Sequence, residues 1–132
     1  MTTKLGGVLA AVSTPFTQDG EVDEAVLRDH VDFLITNGLH GLVPGGSTGE
    51  FAALTVQERK RVNEIVIEQA AGRVPVAPQT GSTSTAEAIE LSKHAADAGA
   101  SAVLVVQPYY EPPTRHEVIE YFATVGEAAG VP

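Results

Sequence analysis

At 132 residues, 43% of them apolar and none of them cysteine, the chain is long enough for one hydrophobic core and excludes both disulfides and thiolate metal sites. A formal net charge of −9, with Lys and Arg scattered along the chain, argues against a nucleic-acid or anionic-membrane partner. Small anions stay open, because backbone N–H groups at helix N-termini can hold them. Met1-Thr2-Thr3-Lys4 is not the apolar stretch of a signal peptide, and no apolar run approaches the roughly 20 residues of a bilayer span. A cytoplasmic protein is expected.

The first predicted strand covers residues 7–13. A helix follows, with Asp23 as N-cap, Leu27, Val31, Leu34 and Ile35 on one face and Gly38 as its stop. The second strand is 41–44, and the helix after it opens Thr55-Val56-Gln57-Glu58. The third is 74–78. Its helix opens Ser84-Thr85-Ala86-Glu87, buries Ala88, Leu91, Ala95 and Ala98, and stops at Gly99. The fourth is 102–107. Its helix opens Thr114-Arg115-His116-Glu117, carries Val118, Phe122 and Val125 inward, and stops at Gly130. All three openings fit a capping box, in which a Ser or Thr and the Glu three residues later satisfy each other's backbone donors. The strands are almost continuous in Val, Leu and Ala, a pattern that suits parallel strands buried on both faces.

The order βαβαβαβα implies an α/β protein with a parallel sheet and right-handed crossovers. Gly38-Leu39-His40-Gly41-Leu42-Val43 is echoed by Gly99-Ala100-Ser101-Ala102-Val103-Leu104, and Gly72-Arg73-Val74-Pro75 by Gly130-Val131-Pro132. The first Val-Pro pair begins a strand, so the sequence is expected to stop where a fifth strand would start. Residues 1–132 then form the first four βα units of a (β/α)8 TIM barrel, the N-terminal half of one domain. A doubly wound, flavodoxin-like sheet is the structural alternative. Half a barrel leaves two open strand edges and an unfilled interior, and alone it should associate or stay partly molten.

In either architecture chemistry gathers in the loops after the strands. Gly45-Gly46-Ser47-Thr48-Gly49-Glu50 sets two hydroxyls among glycines, suited to holding a carboxylate with N–H and O–H donors. It lacks the Lys of a phosphate-binding P-loop, and a plain capped turn is the competing reading. Gln107-Pro108-Tyr109-Tyr110-Glu111-Pro112-Pro113 stiffens two tyrosines with prolines. One phenol can relay a proton, given tuning from its ordinary pKa near 10, or both can be packing residues at an interface. Ser13-Thr14-Pro15-Phe16 shapes the floor of the site, or is simply a strand end before the Asp19-Gly20 turn.

His30, His94 and His116 fall on predicted helices and His40 on the connection into the second strand, away from the loops. No spacing suits a metal, so no metal ligand is assigned. Glu58-Arg59-Lys60-Arg61 reads as a solvated helix face.

Together, Ser13-Thr14-Pro15-Phe16, Gly46-Ser47-Thr48-Gly49-Glu50 and Pro108-Tyr109-Tyr110 resemble the dihydrodipicolinate synthase/N-acetylneuraminate lyase family of class I aldolases, over the whole chain but only the first half of a family member. The resemblance implies a lyase that forms a Schiff base between a lysine and pyruvate or another 2-keto acid, needs no separate cofactor, and works as a homodimer or homotetramer. It implies that Thr48, with Gly46, binds the pyruvate carboxylate, and that Ser47 connects to Tyr110, a catalytic relay tyrosine lent across a dimer interface. Tyr109 would stand beside it at that interface, Thr14 would line the site, and Glu50 would be structural.

The family's Schiff-base lysine lies on the sixth strand and a second catalytic tyrosine on the fifth. Lys4, Lys60 and Lys93 precede the first strand or sit on helices, so the chain by itself is expected to be inert. Phe51 stands where lysine-biosynthetic members carry a small polar residue, and Glu111 where they often carry Asn or Ser. Glu87 matches a position that binds feedback lysine in regulated members, but Val56 and Arg59 replace histidines there. Synthesis of a dihydrodipicolinate-type product from pyruvate and an aldehyde is the leading expectation. A sugar-acid aldolase or dehydratase of the same family is the rival, and a non-catalytic half-barrel dimer that binds small carboxylates is the alternative of another class.

Overall fold

The computed structural model describes residues 5–132. Strand β1 (Leu9–Ala11) and strand β2 (Gly41–Val43) pair in parallel, Leu9 opposite Gly41 and Ala11 opposite Val43. Helix α1 (Glu24–Thr36) makes the crossover between them. It starts where Asp23 accepts from the Val26 amide (3.0 Å) and buries Leu27 and Val31. Helices α2 (Val56–Ala70), α3 (Thr85–Asp97) and α4 (Arg115–Ala129) follow, each packed on its predecessor in the chain.

The third and fourth predicted strands are extended and hydrogen-bonded, but they join the sheet only through single bridges, Leu42 to Val76 and Gln79 to Leu104, both parallel. Pro44 is one cause. The Gln79 amide reaches the Pro44 carbonyl (2.9 Å), yet Pro44 has no N–H to return, so the ladder from Leu42 cannot continue. The spatial order still follows the chain: β1, β2, the 74–78 segment and the 102–107 segment. This is the opening arc of a (β/α)8 barrel.

The core lies between the strands and the helices. Val12, Leu42 and Val76 meet Leu27, Val31, Val62, Ile65 and Val66 there. A fully buried side chain such as Ile65 contributes on the order of 2–3 kcal/mol. The other face of the strands is open, with Val8 61% and Leu104 50% exposed. Burial on both faces is therefore not reached in this chain, because only one face has helices to cover it. His40 sits where β2 begins and accepts from the Val8 amide through Nδ1 (3.1 Å), at the end of the strands away from the loops.

Two of the three expected capping boxes close fully, at Thr55/Glu58 and Thr114/Glu117. The third closes by half. Ser84 accepts from the Glu87 amide, but the Glu87 carboxylate turns to Ser82 Oγ (2.9 Å) and Arg59 (3.5 Å). Helix α4 also differs from its predicted face: Tyr121 and Val125 are buried, while Phe122 is 40% exposed. The Tyr121 hydroxyl donates to the Ser82 carbonyl (3.1 Å) and accepts from the Ser82 amide (3.2 Å). Its polar tip is thus satisfied inside, which lets the larger ring take the inward position.

The closed boxes carry a pH dependence. Bonds from Thr55 hold the Glu58 carboxyl below its ordinary 4.5, and bonds from Thr114 do the same for Glu117. A carboxyl depressed in the folded state adds stability that is complete above the ordinary value and fades as pH falls through the depressed one. Helicity is expected to decline on acidification through that window. Glu58→Gln and Glu117→Gln together should flatten the decline, and an unchanged acid limb in circular dichroism would show that the caps are not its source.

Candidate functional site

The loop after β2 is held from below. Thr14 is buried, and its hydroxyl donates to the Gly49 carbonyl (2.7 Å), tying the turn to the end of the first strand. Gly49 has no space for a side chain: a Cβ there would lie 2.9 Å from the Val12 carbonyl oxygen and 3.0 Å from the Gly45 nitrogen. The turn closes through Glu50 N–H to Ser47 O (3.1 Å) and Phe51 N–H to Gly46 O (3.3 Å). Glu50 takes a left-handed conformation (φ 58) to make it, a strain that non-glycine residues carry at a cost of about 1–2 kcal/mol. Gly46 is buried, while Ser47 and Thr48 are exposed. Among the described residues, no backbone carbonyl accepts from the Ser47 or Thr48 amides, so two N–H groups without backbone acceptors accompany the hydroxyls of two exposed residues.

A groove of about 430 Å³ opens beside this loop, lined by Gly46, Ser47, Phe51, Gln79, Leu104 and Tyr109 among others. Gly46, Ser47 and Tyr109 are thereby brought to one place. Thr48 and Tyr110 are not among its lining residues, and Tyr110 is 86% exposed. Tyr109 meets the Phe51 ring edge-on, with centroids 5.8 Å apart at 89°. Thr14 does not line this groove; it lines a separate depression of about 230 Å³ with Ser13, Pro15, Val26 and His30. Of the lysines, Lys60 pairs with Glu90 (2.5 Å) on the helical side, Lys93 belongs to α3 and is exposed, and Lys4 lies outside the described residues.

Arg59 corrects the reading of 58–61 as a solvated face. Lys60 and Arg61 do pair outward, Arg61 with Glu24 (2.6 Å) and Glu64 (3.2 Å). Arg59 is only 5% exposed. Its Nη2 donates to Gln79 Oε1 (2.7 Å), Gln79 O (3.3 Å) and Gly81 O (2.9 Å), and its Nη1 stands 3.5 Å from Glu87. The guanidinium carbon lies 5.3 Å from the centroid of the Phe51 ring, within cation–π range. Burial pulls the guanidinium below its ordinary pKa, and Glu87 opposes that shift. A signal was available: Arg59 is in helical phase with Val62, Asn63 and Val66, all buried. The charge of the run concealed the period.

Comparison with known proteins assigns the chain to a family. The family model described as the dihydrodipicolinate synthetase family matches residues 4–132. A 4-hydroxy-tetrahydrodipicolinate synthase of Methylobacterium radiotolerans is 51% identical over 129 residues, covering 98% of this chain and 43% of the relative. Its counterpart in Bartonella bacilliformis is 46% identical, covering 97% and 44%. Among solved structures, a prophage protein of the dihydrodipicolinic acid synthase family from E. coli K12, in complex with pyruvate, superposes with a TM-score of 0.93 at 40% identity, over 96% of this chain and 42% of its own. The chain thus spans less than half the length of the relatives it matches.

Proposed function

The chain belongs to the dihydrodipicolinate synthetase family, and from that premise we propose that it is the front half of a pyruvate-dependent lyase of the 4-hydroxy-tetrahydrodipicolinate synthase type. The observation that carries this reading is the loop that turns the Ser47 and Thr48 hydroxyls outward beside a groove shared with Tyr109. Relatives that bear the synthase name at 46–51% identity favour it over a sugar-acid lyase.

In this reading Thr48 and the Gly46 backbone take the pyruvate carboxylate. A lysine from the C-terminal half condenses with the ketone carbon and releases water. Loss of a methyl proton from the resulting imine gives an enamine, whose carbon bonds to the carbonyl carbon of an aldehyde. Protons travel through Ser47 and the Tyr110 phenol of a second subunit in a homodimer or larger homo-oligomer, with Tyr109 at that interface. An imine needs a desolvated, deprotonated amine, and Lys60 is already ion-paired on the helical side, so the 132 residues alone are inert. No separate cofactor enters. Among the described residues, no helix is long and apolar enough to cross a membrane. A cytoplasmic location is part of the proposal.

The test is intact mass spectrometry of the natural protein after incubation with pyruvate and borohydride. One reduced adduct per polypeptide is expected, and none on the 132-residue chain. A natural protein that never gains an adduct would sink the proposal.

Free lysine is expected not to inhibit. The Arg59 guanidinium already stands against Glu87, so a cationic amino acid approaching that carboxylate meets a buried like charge. Initial rates measured with and without excess L-lysine should coincide; clear inhibition would show that a different set of residues binds it.

A further inference from the structure

We propose that Arg59 is a positioning residue, whose buried guanidinium locks the loops after the second, third and fourth strands into one unit and so holds Tyr109, and with it Tyr110, in register with Ser47. The assignment rests on the function proposed above and concerns the same site.

Contacts to two loops converge on one side chain from α2. Toward the third strand's loop, the guanidinium bonds the carbonyls of Gln79 and Gly81, 20 and 22 residues away. Toward the loop after β2, it lies against the Phe51 ring. That ring is in turn the surface on which Tyr109, from the fourth strand's loop, rests edge-on. Gly81 brings the third and fourth loops together as well, since a Cβ there would fall 2.6 Å from the Val106 backbone. Stability alone is a weak reason for such an arginine. Taking a guanidinium out of water is costly, and among the described residues its Nε and the neighbouring Gln79 Nε2 are buried without partners. What the arrangement secures is direction: one terminal nitrogen, Nη2, reaches both backbone carbonyls while the flat guanidinium lies over the aromatic face, a pairing that suits a planar cation better than a compact ammonium.

Among the described residues, Arg59 donates its hydrogen bonds to Gln79 and Gly81 and none to Gly46, Ser47 or Thr48, so its loss should spare pyruvate binding and imine formation and slow the proton transfers that follow. The experiment uses the complete enzyme and reports turnover per trapped pyruvate imine, which removes any inactive fraction from the comparison. Arg59→Met and Phe51→Leu are each expected to lower that ratio about tenfold, since small misplacements of a reacting group have large kinetic effects. Pyruvate KM should hold within about twofold, as for an interaction made after substrate binds. The double variant should lose no more than either single one, because both break the same link, and Phe51→Tyr, which keeps the ring, should retain turnover. Phe51 opens a single 3-10 turn, Phe51–Ala53, and is half-buried, so its variants carry the test even where Arg59→Met fails to fold. Unchanged turnover per imine, or losses that multiply in the double variant, would overturn the assignment. An unaltered enzyme that traps no pyruvate would overturn the proposed function and this assignment with it, a result distinct from either of those.

Discussion

Tyr110→Phe in the complete enzyme is expected to lower kcat by about 100- to 1,000-fold, the range of a lost proton-transfer group, while pyruvate is still trapped by borohydride. The tyrosine is 86% exposed and makes no hydrogen bond among the described residues, so removing its hydroxyl costs the fold of this subunit almost nothing. Such exposure is out of place for a group that must work in a shielded site, unless a second subunit covers it. Subunit mixing tests that point. Tyr110→Phe subunits combined with Thr48→Val subunits form hybrid dimers in which one site has an intact Thr48 and receives an intact Tyr110 from its neighbour. Activity should then reappear from two inactive parents. Persistent inactivity in hybrids would place Tyr110 in its own subunit's site, and a kcat within about threefold of the unaltered enzyme would remove it from the relay altogether.

Gly81→Ala should be among the most destabilising single substitutions available in the site, at about 3 kcal/mol, the upper part of the usual range for overpacking. An added Cβ would meet Val106 N and Val106 O, both at 2.6 Å. These are backbone atoms, so no rotamer change relieves the clash. The 74–78 and 102–107 segments must move apart, at the expense of the Thr80 N–H to Leu104 O bond (2.9 Å), and Tyr109 must leave Phe51. Gly126→Ala is the matched control. Nothing lies within 4 Å of a Cβ at that position in α4, and alanine in a helix gains about 1 kcal/mol over glycine. Urea unfolding should therefore give shifts of opposite sign. Similar shifts for both variants would mean that the third and fourth segments approach less closely than described.

What could be read from the residues was local. Thr55 with Glu58 and Thr114 with Glu117 announced helix starts because a capping box closes within four residues, and both boxes closed. Asp23 did the same for α1. The alternation of apolar runs with these starts was enough for parallel β/α order. The loops that carry Ser47, Thr48 and Tyr109 followed from that order, because loops after parallel strands share one end of the sheet.

Contacts across longer separations were decided by the fold. Glu87 has the position of a capping-box glutamate, yet its carboxylate turned to Ser82 and Arg59, since a buried guanidinium competes more strongly for it than an exposed amide. Tyr121 displaced Phe122 from the core because the Ser82 backbone, 39 residues away, satisfied its hydroxyl. Pro44 cut the ladder at a point that apolar content alone could not mark. Arg59 looked like one more charge in a charged run until Gln79 and Gly81 supplied carbonyls in its path. The sequence by itself determined the order of elements and which loops gather at one end, because capping and periodicity act over a few residues. Only the tertiary structure decided which polar groups are buried together, because partners such as Arg59 with Gln79 and Gly81, or Tyr121 with Ser82, lie 20 or more residues apart and meet only once the strands and helices have packed.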